Sequence, residues 1–412
     1  MKRRLWALGL TLALGLIGVG GLSPRSWGHA GHEVLGELPA HFPLPRIPAD
    51  NPLTFEKVAL GRHLFYDKKL SINEQQSCGS CHQQALAFTD GKPRGVGTTG
   101  QMHARGSMGL TNVVYAARLA WANPLVERLE HQAMLPLFGE VPVELGMAGQ
   151  ETRLIERFQQ DPLYPPLFEA AFPEEPSITL PKMLQAIASF ERTLISSNSP
   201  YDRFVAGDTQ ALSPAAQRGL NLFMSERLEC FHCHGGFNFS DNFEHEGLPT
   251  QRSPFHNTGL YDEDGKGKAP KGHEGVFEIT GRARDMGRFK APTLRNIAVT
   301  APYMHDGSIA TLEEVIAHYA AGGRAYADGS RSAEHNMLKS EFVSGFVISA
   351  EEVGDVLAFL NSLTDEQFLT DPRFSDPFEA GTEKSGTEKS GTEKLGTEKS
   401  GTEKLGTDSR VK

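Results

Sequence analysis

Two pentapeptides carry the chemistry of this chain: Cys78-Gly79-Ser80-Cys81-His82 and Cys230-Phe231-His232-Cys233-His234. Together they use all four of its cysteines. Two thiols three positions apart can each add to one vinyl group of a haem. The adjacent histidine then reaches the iron from the proximal face. A disulfide, a dithiol redox pair or half of a zinc site would use the same spacing. Two copies with no cysteine left over, behind an export-like leader, favour covalent haem c over all three. The expected cofactors are therefore two haem c groups on Cys78, Cys81, Cys230 and Cys233. His82 and His234 are the expected proximal ligands of the irons.

A second stretch bears on what those irons would do. Thr311 and Glu314 form the opening of a helix by a capping box, and Gly322 or Gly323 stops it. Leu312, Val315, Ile316 and Tyr319 fall on one face, so Tyr319 points inward with apolar residues. A buried tyrosine needs a partner for its oxygen. On a helix over a haem that partner is the iron or a backbone carbonyl, and Met304 and His305 are nearby rivals for the iron.

These groups need elements to hold them, and the elements come twice. Gly61, Leu64 and Phe65 precede the first motif in the same register as Gly219, Leu222 and Phe223 before the second. Downstream, Phe190 and Leu194 can be laid on Phe359 and Leu363. Met183, Ile187, Phe190 and Leu194 share a helix face, as do Val353, Val356, Leu357 and Leu360. Ser349 and Glu352 form a capping box at the start of the second of these helices. Each unit thus runs glycine-bearing helix, haem motif, long insertion, closing helix, which is internal duplication. The expected fold is mainly α, with two tandem cytochrome c-type domains over 31–200 and 201–378.

A length of 412 residues has room for both cores. A net charge of -10 argues against nucleic acid as a partner. Lys2-Arg3-Arg4 followed by the apolar run Leu5 to Leu22 reads as a signal peptide over 1–30, cut after Ala30. A retained anchor is the alternative. Either way the folded part is expected outside the cytoplasm, in the periplasm, and not integral to the membrane once the leader is removed. Ser, Asn, Pro and Gly cluster from Ser196 to Ala211 and mark the seam. Residues 31–55, rich in Pro and Leu, are expected to wrap the surface. Gly259 to Arg288 lacks periodicity and reads as a surface loop. Residues 379–412 carry Gly-Thr-Glu-Lys repeats that cannot bury a core, so a disordered tail is expected.

Taken together, the tandem motifs, the Ala-Pro-Thr-Leu-Arg-Asn run (291–296), the Tyr-Met-His-Asp-Gly loop (303–307) and Phe-Glu-Arg-Thr-Leu (190–194) resemble the bacterial di-haem cytochrome c peroxidase family. The resemblance covers about residues 45 to 370. It implies a peroxidatic N-terminal haem, an electron-transfer C-terminal haem and a tryptophan between them, matched by Trp121. It also implies a distal glutamine and glutamate, matched by Gln132 and Glu144, with Glu140 as a rival because the spacing is longer here. Ordinary members place a methionine where this chain has Tyr319. A tyrosine there resembles the MauG branch, which uses hydrogen peroxide to oxidise other proteins through a high-valent di-haem state. The family's calcium ion would meet backbone oxygens of Thr300 and Pro302. Its expected asparagine is missing, since this chain reads Arg105-Gly106-Ser107-Met108. The resemblance leaves three functions: a MauG-like oxidant of a partner protein, a peroxidase fed by a small cytochrome c or copper protein, and a di-haem electron carrier without catalysis.

Overall fold

A computed structural model describes residues 31–248, 254–325 and 336–379. The leader and the Gly-Thr-Glu-Lys repeats lie outside the described residues. The first half contains α1 (Phe55–Tyr66), α2 (Cys78–Cys81), α3 (Leu129–Gln132), α4 (Met134–Phe138), α5 (Glu151–Gln160), α6 (Tyr164–Ala171) and α7 (Leu180–Glu191). The second contains α8 (Pro200–Val205), α9 (Pro214–Phe223), α10 (Phe231–His234), α11 (Phe277–Thr280), α12 (Leu312–Ala320), α13 (Ala350–Asn361) and α14 (Glu366–Thr370). Among the described residues the only β pairing is isolated bridges.

Local chemistry sets the ends of the helices that matter. The Thr54 hydroxyl accepts from the Lys57 N–H at 3.1 Å to start α1, and Ser213 accepts from Ala216 at 3.1 Å to start α9. Capping boxes open α12 at Thr311 and Glu314, and α13 at Ser349 and Glu352, as the sequence predicts.

The duplication is physical. In the first half α1 crosses α7, and in the second α9 crosses α13. Both crossings depend on a glycine. A Cβ on Gly61 would lie 1.8 Å from the Ala186 carbonyl oxygen and 3.0 Å from Phe190 Cβ. A Cβ on Gly219 would lie 1.9 Å from the Asp355 oxygen and 2.9 Å from Phe359 Cβ. The register between Phe190 and Phe359 is thus one contact made twice. Either Gly61→Ala or Gly219→Ala forces two backbones apart and should cost about 3 kcal/mol. The check is the denaturant midpoint of the purified holoprotein. An unchanged midpoint would mean that the helices do not touch there.

A further echo lies past each haem motif. Asn112 and Asn296 both take left-handed backbone, with φ of 56° and 61°. The Asn112 N–H donates to the Leu194 carbonyl at 2.8 Å, and the Asn296 N–H donates to the Leu363 carbonyl at 2.9 Å. Their side-chain oxygens accept from the Ser196 N–H and the Asp365 N–H, each at 2.7 Å. Each asparagine therefore pins the end of its closing helix to the loop below its haem motif.

One core gathers Leu60, Leu64, Phe65, Phe88, Ile187, Phe190 and Leu194, and the other gathers Phe223, Phe239, Ile316, Val356, Phe359 and Leu363. The chain end crosses back, since Phe368 and Phe374 pack into the first core. At the seam the fully buried Arg295 grips Asp202 with two bonds of 2.9 and 3.0 Å. The stretch 259–288 departs from the expected surface loop. It holds the helical turn α11, buries Leu260 and Val276, and sends His273 inward to His305 at 3.0 Å. Its glycines hide this from a periodicity count, because tight turns rather than a regular face bring its apolar residues in.

Candidate active site

Each haem motif forms a single helical turn, α2 or α10, and α2 packs against the glycine-bearing α1. The four sulfurs are unbridged. The Ser80 hydroxyl accepts from the Ser77 N–H at 2.9 Å and fixes the entry to α2. The histidine rings are then oriented the same way twice. His82 Nδ1 meets the Phe88 carbonyl at 2.7 Å, and His234 Nδ1 meets the Phe239 carbonyl at 3.1 Å. A carbonyl only accepts, so each Nδ1 carries the hydrogen and each Nε2 is left bare for a metal. Phe88 and Phe239 both need positive φ, 63° and 48°, to present those carbonyls. Burial holds both imidazoles below their usual pKa, which keeps them neutral and fit to ligate.

A cavity of about 580 Å³ opens on His82 and Cys81. Gln132, from the end of α3, and Glu144, from the loop after α4, line it together with Trp121. The backbone fixes Glu144 there, because the Thr98 N–H donates to its carbonyl at 2.8 Å. Burial pushes the Glu144 carboxyl above the usual carboxylate range. Glu140, the rival, is exposed and outside the cavity wall. Thr300 and Pro302, the two calcium positions implied by resemblance, are on the same wall.

Trp121 sits at the seam. Its indole N–H donates to the Gly106 carbonyl at 2.9 Å, and its own carbonyl accepts from the Lys290 N–H at 3.0 Å. The Lys290 ammonium stands 5.1 Å from the ring centroid. Burial brings the pKa of Lys290 down to about 8. Two residues on, the Pro292 backbone lies against the His234 ring. Trp121 thus lines the His82 cavity and is bonded to the backbone that runs on, two residues later, to the His234 ring.

On α12, the half-buried Tyr319 has its phenol within electrostatic reach of the Cys233 and Cys230 sulfurs. Burial raises its pKa, so the phenol keeps its proton unless a cation sits against its oxygen. Its two rivals lie elsewhere. Met304 lines the His82 cavity. His305 stacks on Phe289 with centroids 3.7 Å apart and bonds His273.

Residues 55–210 match the family described as di-haem cytochrome c peroxidase. The chain is 35% identical to a cytochrome-c peroxidase, IdrP1, of Denitromonas iodatirespirans, over 89% of this chain and 95% of that one. It belongs to the di-haem cytochrome c peroxidase family. It is also 34% identical to the methylamine utilization protein MauG of Methylophilus methylotrophus, over 77% of this chain and 84% of that one. The crystal structure of a MauG-like protein associated with microbial copper homeostasis superposes with a TM-score of 0.80 at 46% identity. The match covers 83% of this chain and 99% of that one.

The protein is therefore a haem-dependent peroxidase-family enzyme with two cytochrome c-type helical units. Its residues fit two c-type haems, with paired sulfurs, bare Nε2 atoms and a deep cavity with Arg118 and Lys290 on its wall. Arg118 and Lys290 suit the carboxylates of a porphyrin. Lys290 and His103, both on the cavity wall, were not singled out from sequence. They lie in loops without periodicity, and only the position of Lys290 just before Ala-Pro-Thr could have drawn attention to it.

Proposed function

We propose that this chain uses hydrogen peroxide to oxidise a partner protein, as in the MauG branch. The feature that carries this reading is Tyr319 itself, held on α12 where ordinary members place a methionine and close enough to the second motif for the Cys230 and Cys233 sulfurs to act on its phenol electrostatically. A phenolate is a hard anionic ligand and stabilises higher oxidation states of iron, which suits an enzyme that must hold oxidising power until a large partner docks. The haems supply the redox chemistry. The chain supplies the rest. His82 and His234 would ligate the irons through their free Nε2 atoms. Glu144 takes a proton from one peroxide oxygen and returns it to the other, while the Gln132 amide orients the molecule. Trp121 joins the two centres across the seam. Peroxide needs an open site over His82, so the two haems receive unequal ligands. The units span 31–200 and 201–378, and the leader directs them to the periplasm.

EPR of the oxidised protein should count one high-spin and one low-spin haem. Tyr319→Met should remove the phenolate-to-iron absorption and shorten the lifetime of the state formed with peroxide. An equal lifetime in the variant would remove the basis for the tyrosine's role. The 35% identity to a protein named a cytochrome-c peroxidase favours a second reading, peroxide reduction with electrons from a small cytochrome c or copper protein. Rapid turnover with a reduced cytochrome would select it.

A further inference from the structure

One titratable side chain on the cavity wall has no part in the scheme above. His103 lies in a narrow ribbon in which its N–H donates to the Gly95 carbonyl at 2.9 Å and the Gly97 N–H donates to Gln101 at 3.0 Å. This ribbon is docked on the Glu144 loop. Gly97 has no Cβ, and one would lie 1.8 Å from the Val143 carbonyl oxygen. The next residue, Thr98, donates to the Glu144 carbonyl. Two neighbouring backbones are thereby locked together, with His103 on one and Glu144 on the other. His103 is close enough to the Glu144 carboxyl for a charge on its ring to lower that carboxyl's pKa. Both side chains line the cavity that opens on His82. His103 Nε2 is buried and has no hydrogen-bond partner among the described residues. A buried ring nitrogen left without a partner is costly, and the cost is tolerated where a ligand or a proton completes it.

We propose that His103 is a proton-relay and positioning partner of Glu144 for weak acids entering this pocket. The proposal rests on the role given to Glu144 above. A ligand HX gives its proton to the carboxylate and stays in the pocket as X⁻. The proton is shared with the His103 imidazole, which becomes imidazolium beside the carboxylate. With peroxide, the same proton returns to the departing oxygen as the O–O bond breaks, so that water leaves. The haems, when bound, would supply the two electrons for that cleavage. No net proton is gained or lost by the pair.

Cyanide tests this without turnover, because hydrogen cyanide must lose a proton before it binds ferric haem. The association rate is measured by stopped flow on ferric holoprotein carrying His103→Gln, Glu144→Gln or both. Relay predicts that His103→Gln slows binding about 10–100-fold, as loss of a supporting group does at a metal site. The double variant should be no slower than Glu144→Gln alone, since both act on one proton. Gly95→Ala gives an independent arm. Its Cβ would lie 2.9 Å from His103 Nδ1, so it displaces the ring with both side chains retained. It should slow cyanide similarly at full haem content. Unchanged rates in His103→Gln, or losses that add to those of Glu144→Gln, overturn the relay. A change from low to high spin in His103→Gln also overturns it, by making the residue an iron ligand. If Glu144→Gln itself changes nothing, the reading of Glu144 has failed and the relay falls with it. If only His103→Gln changes nothing, the relay alone has failed.

Discussion

Changing Cys78 and Cys81 together to Ser should yield a protein with one haem and no measurable reaction with peroxide. Thioether bonds to this motif would hold the porphyrin that His82 and the cavity of Gln132 and Glu144 serve. The second centre should survive, because its core is built from its own residues around Phe223, Phe239 and Phe359. The mirror variant, Cys230→Ser with Cys233→Ser, should keep the open haem and its binding of cyanide. It should lose the low-spin signal and, on the role proposed for Tyr319, the stored oxidising equivalent. Haem content per chain, by pyridine haemochrome, and the EPR spectrum distinguish the outcomes. If the first variant still reacts with peroxide, the roles of the two haems are reversed.

The asymmetry behind that expectation was only partly legible in the chain. The haem motifs, the closing helices and the paired glycines could be read, because each depends on residue type at short spacing. Gly61 and Gly219 could stand in register only if both crossings left no room for a Cβ. Tyr319 faces inward for the reason its spacing gives. Its choice over Met304 and His305 rests on the family resemblance, because the spacing shows only that Tyr319 points inward. The structure puts Met304 on the wall of the His82 cavity and gives His305 to His273 and Phe289. Likewise Glu140 and Glu144 differ only by one turn of loop. The backbone bond from Thr98, 46 positions earlier, is what seats Glu144. The Asn112 and Asn296 echo was present in Leu110-Thr111-Asn112 and Leu294-Arg295-Asn296. One shared asparagine is a weak signal until its bonds are seen. The distal pocket is thus a product of loop-to-loop contacts, and loops have no period to betray them.

Glu144→Gln should slow the reaction with peroxide at least about 100-fold, the usual loss when a positioned acid–base group is removed. Glutamine keeps the volume and most of the hydrogen bonding but cannot carry the proton, so a loss of this size would be chemical. The pH profile gives a second, independent sign. The carboxylate is the competent form, because it must accept first. Burial raises the pKa of Glu144, so that form is lost as pH falls through a value above the ordinary carboxylate range. The neighbouring His103 opposes part of that rise. The wild-type rate should therefore fall on the acid side earlier than an exposed glutamate would allow. In Glu144→Gln that limb should disappear, leaving a slow, flat profile. The exposed Glu140 is the control. Glu140→Gln should leave both the rate and the limb in place, since its side chain meets solvent and lies off the cavity wall. A rate that drops with Glu140→Gln and not with Glu144→Gln would transfer the proton-moving role to the other carboxyl. It would also require the loop after α4 to seat differently from the arrangement that Thr98 holds.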